Sequence, residues 1–406
     1  MKSIFEGIQV LDLTRIIAGP LCTQTLADMG ATVYKIEKPS EGDDTRRMGP
    51  FLPDAEHGGD SNDSALYMAY NRGKHSITLD IATSEGAALV RQLAAQCDVV
   101  VENYKVGGLR KYGLDHESLS AGREDLIYCS VTGFGQTGPM ASRPAYDFIL
   151  QGMAGMMSTC GQPDGTPGGE PMRTAIPVVD VVTGLYAAIA ILGALFHRER
   201  SGQGQYIDAA MLDAAVALNG HLALGFLMNG VNPTRVGNTN PIAAPSEVVA
   251  CLDGHLIVAA GNNGQFQSFC KVLGHPEWAE DARFNSNAKR VAARSALLAQ
   301  LAPVLAGWRQ QDLLQALQHA GVPCGPINNM AQVFAEPQAQ HRELALTLAH
   351  GRGGAVPSVR SPLRFSKTPV EHRSPPLLGA HTRDILCDKL QLDEAAYQRL
   401  RAQGVV

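Results

Sequence analysis

The carboxylate best placed to do chemistry in this chain is Asp180, set between two valines in TAIPVVDVVTGLYAAIA, three residues after Pro177 and at the start of an apolar helical run. Two readings are compatible with that setting. As an N-cap it would satisfy an orphan helix N–H, a contribution of about 1 kcal/mol. As a nucleophile it would have to be ionised, and the positive end of a helix dipole favours the anion. Basic residues recur at expected strand ends and loops of the first half: Lys35, Lys38, Arg46, Arg47, Arg72, Lys74, Arg110 and Lys111. Singly each reads as a solvated surface charge; together they fit an anionic ligand with several phosphates. GFGQTG at 133–138 matches G-x-G-x-x-G after a strand, but Pro139 and Pro144 interrupt the helix a dinucleotide site requires. A glycine loop shaping a crevice is the better reading, and an NAD-dependent oxidoreductase stays only as a competing hypothesis. HExxH and GxSxG are absent, which removes the zincin and serine-hydrolase signatures.

These residues need a scaffold, and the chain supplies alternating apolar runs. IQVLDLT (8–14) and ATVYKIE (31–37) read as buried strands around the helical AGPLCTQTLADMG. HSITLDI, GAALVRQLAAQ, CDVVVENY and DLIYCSVTGF repeat the pattern. Such alternation predicts an α/β fold with a Rossmann-like, doubly wound parallel sheet and ligand crevices at the carboxyl ends of its strands. We expect a large α/β domain over 1–200, a helical linker at 201–231, a smaller α/β domain at 232–325 and an extended C-terminal segment, 326–406, returning to the large domain. In the small domain Asp253-Gly254 signals a hairpin within VVACLDGHLIVAA. GNNGQF (261–266) reads as a loop and GNTNP (237–241) as a flap. Past Val333 the chain reads as extended and proline-punctuated until a last helix, DEAAYQRLRAQG.

Composition narrows the function classes. The 406 residues carry 34 Lys+Arg against 39 Asp+Glu, a net charge of −5, without the basic patch that nucleic-acid binders carry. DNA and RNA are therefore not expected partners. Charged residues are only 18% of the chain, which fits surface buried against a second subunit or a large core. The eight cysteines show no CxxC pair and no zinc-type spacing, so no metal is expected and the thiols suit a reducing compartment. The opening MKSIFEGIQVLDLTR lacks the long apolar stretch of a secretory signal, and the expected location is the cytoplasm or an organelle matrix. Val181–Phe196 is uncharged for 16 residues, short of a spanning helix, and 214–234 is interrupted; both read as buried core helices.

Taken together, VLDLTRIIAGPLCTQTLADMGATVYKIEKPSEGDDTR, YNRGKHSITLD, DVVVENYKVGGLRKYGL, SVTGFGQTGP, AYDFILQGMAG, the Asp180 segment, SGQGQYIDAAMLDA, GVPCGPINNMAQVFAEPQ and PPLLGAHT resemble the family III CoA-transferases, the CaiB/BaiF or formyl-CoA transferase family. The likeness runs from about Ile8 to Val406, and GNNGQF with the C-terminal stretch is most similar to the members that move CoA between succinate and glutarate.

The resemblance implies CoA exchange between an acyl-CoA and a free carboxylic acid, with Asp180 as the carboxylate that becomes acylated. A coenzyme A thioester is then a substrate and no permanently bound cofactor is implied. Positions matching CoA contacts are Ile17, Ala18, Lys38, Arg72, Gly73, Lys74, Asn103, Tyr104 and Lys111. Gly237 and Asn238 match a glycine-rich active-site loop, here with fewer glycines. Tyr146 stands where related acyl-CoA racemases carry a histidine; a phenol is a poor base at neutral pH, which favours transfer over racemisation. A short dicarboxylate would need a guanidinium for its far carboxylate, for which Arg46 or Arg47 is the expected group. Oxalate/formyl, carnitine and aromatic-acid transfer are the alternatives within the resemblance. The family fold also implies an interlocked homodimer, and no membrane partner.

Overall fold

The alternating apolar runs become a six-stranded parallel sheet in the computed structural model, which describes residues 3–53 and 60–406. Strand β1 (Gln9–Leu13), helix α1 (Ala18–Asp28) and β2 (Thr32–Glu37) form the opening βαβ unit. A short hairpin, β3 (Phe51–Pro53) with β4 (Asp60–Ser64), leads to α2 (Ala65–Tyr70), β5 (His75–Thr78), α3 (Ser84–Ala94), β6 (Val99–Glu102), α4 (His116–Ser120) and β7 (Ile127–Thr132). Next come α5 (Asp147–Met153), α6 (Met156–Thr159), α7 (Val178–Ser201), β8 (Tyr206–Ala210), α8 (Met211–Leu218) and α9 (Gly220–Asn229). The sheet order is β5-β2-β1-β6-β7-β8, every neighbouring pair parallel. The winding reverses between β1 and β6, and such a reversal opens a crevice outside the carboxyl ends of the strands.

Successive strand residues face opposite cores, as the period of two requires. Val10, Val33, Val99, Val101 and Cys129 pack with α1 and α7; Leu11, Leu13, Tyr34, Ile36 and Val100 pack with α3 on the other face. The apolar run at Val181–Phe196 is the middle of a 24-residue helix, α7, which by length and composition alone is long and apolar enough to span a membrane. One face of that helix lies against α1 so closely that a Cβ on Gly184 would sit 2.5 Å from the carbonyl oxygen of Ala18. Its other face bears exposed Leu185, Tyr186, Ile189 and Phe196. The second apolar stretch departs from expectation: α9 has no buried residue, and Leu227 and Met228 are each 78% exposed.

The chain divides into two compact units. The first runs through to Met156 and includes Arg173–Val231 and His341–Val406; the second comprises Met157–Met172 and Asn232–Gln340. The 201–231 segment is thus part of the first unit rather than a linker, and 326–340 goes with the second. That second unit is built on an antiparallel sheet of β9 (Ser246–Cys251), β10 (Gly254–Ala259) and β11 (Cys324–Pro326). Its helices are α10 (Asn263–Val272), α11 (Asn287–Ala292), α12 (Arg294–Leu305), α13 (Gln310–His319) and α14 (Met330–Ala335), and Phe266, Phe269, Leu297 and Leu301 fill its core. The hairpin turns one residue earlier than expected, through Leu252-Asp253, because Gly254 already pairs with Cys251. GNNGQF is a helix start, not a loop: Asn262 and Gln265 form a reciprocal capping box on α10.

After α15 (Pro337–His341) the C-terminal stretch includes a hairpin, β12 (Ala345–Ala349) with β13 (Ala355–Val359), within the region expected to be extended. The last helix, α16 (Glu394–Ala402), starts on an Asp393 N-cap and closes the core beside α3 with Tyr397, Leu400 and Val405. The Asp80 N–H donates to the Val405 carbonyl at 2.9 Å.

Candidate active site

A cavity of about 1070 Å³ opens in the first unit where the winding reverses. Its walls are the segments at the carboxyl ends of the strands: Arg15–Ala18 after β1, Lys38 and Asp43 after β2, Asn103, Tyr104 and Lys111 after β6, Thr132 and Gly133 at the end of β7. Asp180 and Tyr146 share that lining.

Asp180 is the third residue of α7 and only 9% exposed. It does not cap its helix. That task falls to Asp147, the first residue of α5, whose Oδ2 accepts the N–H groups of Val179 (2.7 Å) and Asp180 (3.2 Å). Gln151 Nε2 holds the other Asp147 oxygen at 2.6 Å, and Gln151 Oε1 accepts the Thr174 N–H at 3.0 Å. The Asp180 carboxylate is left without a hydrogen bond among the described residues. Burial, with the Asp147 carboxylate close by, pushes Asp180 up to about 7. The helix dipole favours the anion, but removal from water outweighs it here.

The turn after β1 is pinned residue by residue. Ile16 has φ +74, a strained value for a β-branched residue. Lys35 Nζ donates to the Thr14 carbonyl (2.8 Å), Asn103 brackets Arg15 by accepting its N–H (2.9 Å) and donating to its carbonyl (2.7 Å), and Asp43 accepts the Ile16 N–H (3.3 Å). Lys35 and Asp43 are themselves a fully buried ion pair at 2.9 Å. Burial raises the Asp43 carboxyl, but the Lys35 ammonium and the Thr45 N–H outweigh it and bring it down to about 2. The turn delivers α1 with Ile17 at its N-cap, no side chain capping it. The N–H groups of Ile17, Ala18 and Gly19 thus face the cavity end of the helix with no acceptor among the described residues, an arrangement suited to negative charge on a ligand.

Of the residues singled out from sequence, Asp180, Ile17, Ala18, Lys38, Asn103, Tyr104, Lys111 and Tyr146 are brought to this one cavity. Others are spent elsewhere. Arg72 makes a two-pronged pair with Asp28 and donates to the Val359 carbonyl, and Gly73 N–H bonds Ser374 O. Lys74 is fully buried on Asp12, the Pro20 carbonyl and Asn71, at 2.9–3.0 Å. Arg46 is likewise consumed: its guanidinium grips both oxygens of Glu37 at 2.7 Å and stacks 3.6 Å from the Tyr67 ring centroid. Arg47 is exposed, pairs with Asp44 at 3.2 Å and is outside the lining. Arg46, Arg72 and Lys74 are each held by an acid 9, 44 and 62 positions away, whereas Arg47 pairs with its near neighbour Asp44. Gly237 and Asn238 lie in the second unit, where Gly237 N–H bonds Gly161 O and the Asn238 carbonyl accepts from Val248, so this segment is tied to β9.

Asp147, Asp43 and Arg15 are site residues that sequence reasoning did not single out. Asp147 is the first residue of α5, and the N–H groups that it accepts lie 32 and 33 residues further on, beyond any local pattern. Among the described residues no group of three or more His, Cys, Asp or Glu is arranged to hold a metal ion.

The site's geometry agrees with three independent comparisons. Residues 5–382 match the model of CoA-transferase family III. The chain is 45% identical to a succinate–glutarate CoA-transferase of Agrobacterium fabrum, covering 97% of this chain and 98% of the relative. It is 38% identical to the human succinyl-CoA:glutarate CoA-transferase, covering 99% and 89%. A crystal structure of a CaiB/BaiF family protein from Brucella suis is similar with a TM-score of 0.84 at 45% identity, covering 96% of this chain and all of that one. With the family model matched over residues 5–382 and Asp180 on the wall of a cavity at the sheet's switch point, this chain belongs to CoA-transferase family III.

Proposed function

We propose that this enzyme moves CoA between succinyl-CoA and glutarate or a closely similar dicarboxylate, with Asp180 as the acyl-carrying residue. The observation that carries the reading is the Asp180 carboxylate: set on the wall of the cavity, nearly buried, and without a hydrogen bond among the described residues. The relatives' names supply the acids.

The chemistry balances without a net proton. A carboxylate oxygen of Asp180 attacks the thioester carbonyl, the C–S bond breaks, and CoA thiolate leaves behind an aspartyl–succinyl anhydride. The thiolate attacks the aspartyl carbonyl, releasing succinate and forming an aspartyl-CoA thioester. Glutarate then attacks that thioester to give an aspartyl–glutaryl anhydride and free thiolate, which attacks the glutaryl carbonyl and restores Asp180. The uncapped N–H groups of Ile17, Ala18 and Gly19 are suited to the negative charge on each tetrahedral oxygen. Lys38 and Lys111 suit the phosphates of CoA, and Asn103 and Tyr104 its pantetheine arm. Water must be kept from the anhydride, and the near-complete burial of Asp180 serves that need.

Trapping tests the mechanism: hydroxylamine or borohydride after incubation with succinyl-CoA, followed by peptide mapping, should place the modification on Asp180. A label on any other residue overturns it. Exchange of labelled succinate and glutarate into CoA thioester tests the acids.

The exposed apolar face of α7 and α9 fits burial against a second copy of this chain, which supports the homodimer. Sedimentation should then give twice the 43.2 kDa chain mass. Eight free thiols fit a reducing, cytoplasmic or matrix setting.

A further inference from the structure

With Arg46 locked on Glu37, the far carboxylate of a dicarboxylate substrate lacks its expected partner, and a different guanidinium stands in the cavity. Arg143 lies in its wall together with Asp180 and Tyr146. It has no acidic partner among the described residues, whereas the cavity's other arginine, Arg15, pairs with Asp44 at 3.2 Å. Its place is fixed by packing. The 133–145 loop is pinched shut, since a Cβ on Gly133 would lie only 2.2 Å from that of Ala145. The guanidinium carbon sits 5.8 Å from the Phe134 ring centroid, and Phe134, Ala145 and Val178 pack on the same small core as Leu150 and Val179. Arg143 therefore rests on the support that carries the start of α7. Four residues of extended chain span at most about 14 Å, which keeps Arg143 near Asp147, the acceptor of the Asp180 N–H.

We infer that Arg143 is the specificity-determining residue for dicarboxylates, binding the carboxylate at the end of the acyl chain away from Asp180; the inference rests on the dicarboxylate reading above. The physical need is plain. A dianion approaching Asp180 and Asp147 meets like charge, and a forked guanidinium is the side chain that both offsets this and fixes orientation. The same contact serves the succinyl group of the donor and the incoming glutarate.

Glutaramate has the length of glutarate without the second charge, so it isolates the contact. The wild-type enzyme should prefer glutarate over glutaramate in kcat/KM by about 10- to 100-fold, the range of a charge-assisted hydrogen bond. Arg143→Gln should bring that ratio close to one through a higher KM for glutarate, and Arg143→Lys should keep part of it. The dissociation constant for CoA, measured by calorimetry on the same variants, should change less than about twofold. Retention of the preference in Arg143→Gln overturns the assignment. Loss of CoA affinity in parallel with glutarate also overturns it, making Arg143 a phosphate contact. A wild-type enzyme that transfers CoA but never favours the diacid overturns the dicarboxylate reading itself, a result distinct from either.

Discussion

A carboxylate held near neutrality is a compromise between two demands on Asp180. It must shed its proton to attack, yet a more basic oxygen is the stronger nucleophile. Because it stands at about 7, the rate of acylation by succinyl-CoA should climb roughly tenfold per pH unit below that value and level off above it. A pH profile of kcat/KM for the thioester checks this. The same shift has a stability consequence of definite sign. The folded value lies above the ordinary one near 3.8, so the fold favours the protonated acid; that contribution is complete below about pH 4 and is lost as the pH rises through about 7. Asp180→Asn should therefore abolish turnover while melting higher than the parent, by an amount that grows between pH 4 and 7 and is then constant. At one pKa unit per about 1.4 kcal/mol the gain is on the order of a few kcal/mol. Equal melting of the two proteins at pH 8 would contradict the burial argument. Asp180 was legible in the sequence as an acid at a helix start, but its protonation was not, because burial is set by chain far from it.

At the scale of elements, two short segments decide whether the site exists: the start of α7 and the turn before α1. Asp147 caps α7 from α5, so Asp147→Ala should lose about 1–2 kcal/mol in chemical denaturation. It should also remove a like charge from beside Asp180 and move the acid limb of the pH profile downward. A stability loss with no movement of that limb would mean that the cap and the charge are unrelated. The Ile16 turn depends on the Lys35–Asp43 pair. Asp43→Asn alone should cost about 3–5 kcal/mol by stranding a buried ammonium. Adding Lys35→Met should recover much of the stability, yet the acyl-CoA KM should stay raised, since the Thr14 carbonyl of the turn has then lost its Lys35 donor. Full kinetic recovery in the double variant would show that the turn needs no such support. The strands and helices of the parallel sheet were readable from periodicity, whereas the Asn262–Gln265 capping box was read as a loop and the β12–β13 hairpin as extended chain. The cross-chain partners were not: Arg46 and Glu37, Arg72 and Asp28, or Lys74 and Asp12 look like independent surface charges until the sheet order brings them together.

At the scale of the molecule, strand–helix alternation was enough to expect a doubly wound sheet, but not how the chain is shared between units. Residues 157–172 join the second unit because Arg235 ties them there, through the Ser158 and Gly169 carbonyls and Asp164. Residues 341–406 return to the first unit through contacts more than 300 positions apart, such as Thr78 N–H to Thr382 and Gly379 N–H to Ser76. Each unit has a separate core, and damage should stay where it is made. Leu400 and Leu301 are both buried leucines, one closing the sheet beside α3 and the other inside the second unit. Replacing either with Ala removes comparable apolar volume and should cost about 2–5 kcal/mol. Hydrogen exchange distinguishes them: Leu400→Ala should speed exchange in β2 and β5, against which the C-terminal stretch packs, and leave β9 and β10 protected, while Leu301→Ala should do the reverse. Since the cavity is built from the ends of β1, β2, β6 and β7, Leu400→Ala should also weaken CoA binding although the residue does not itself line the cavity. Uniform acceleration of exchange in both variants would mean that the two cores open as one cooperative body.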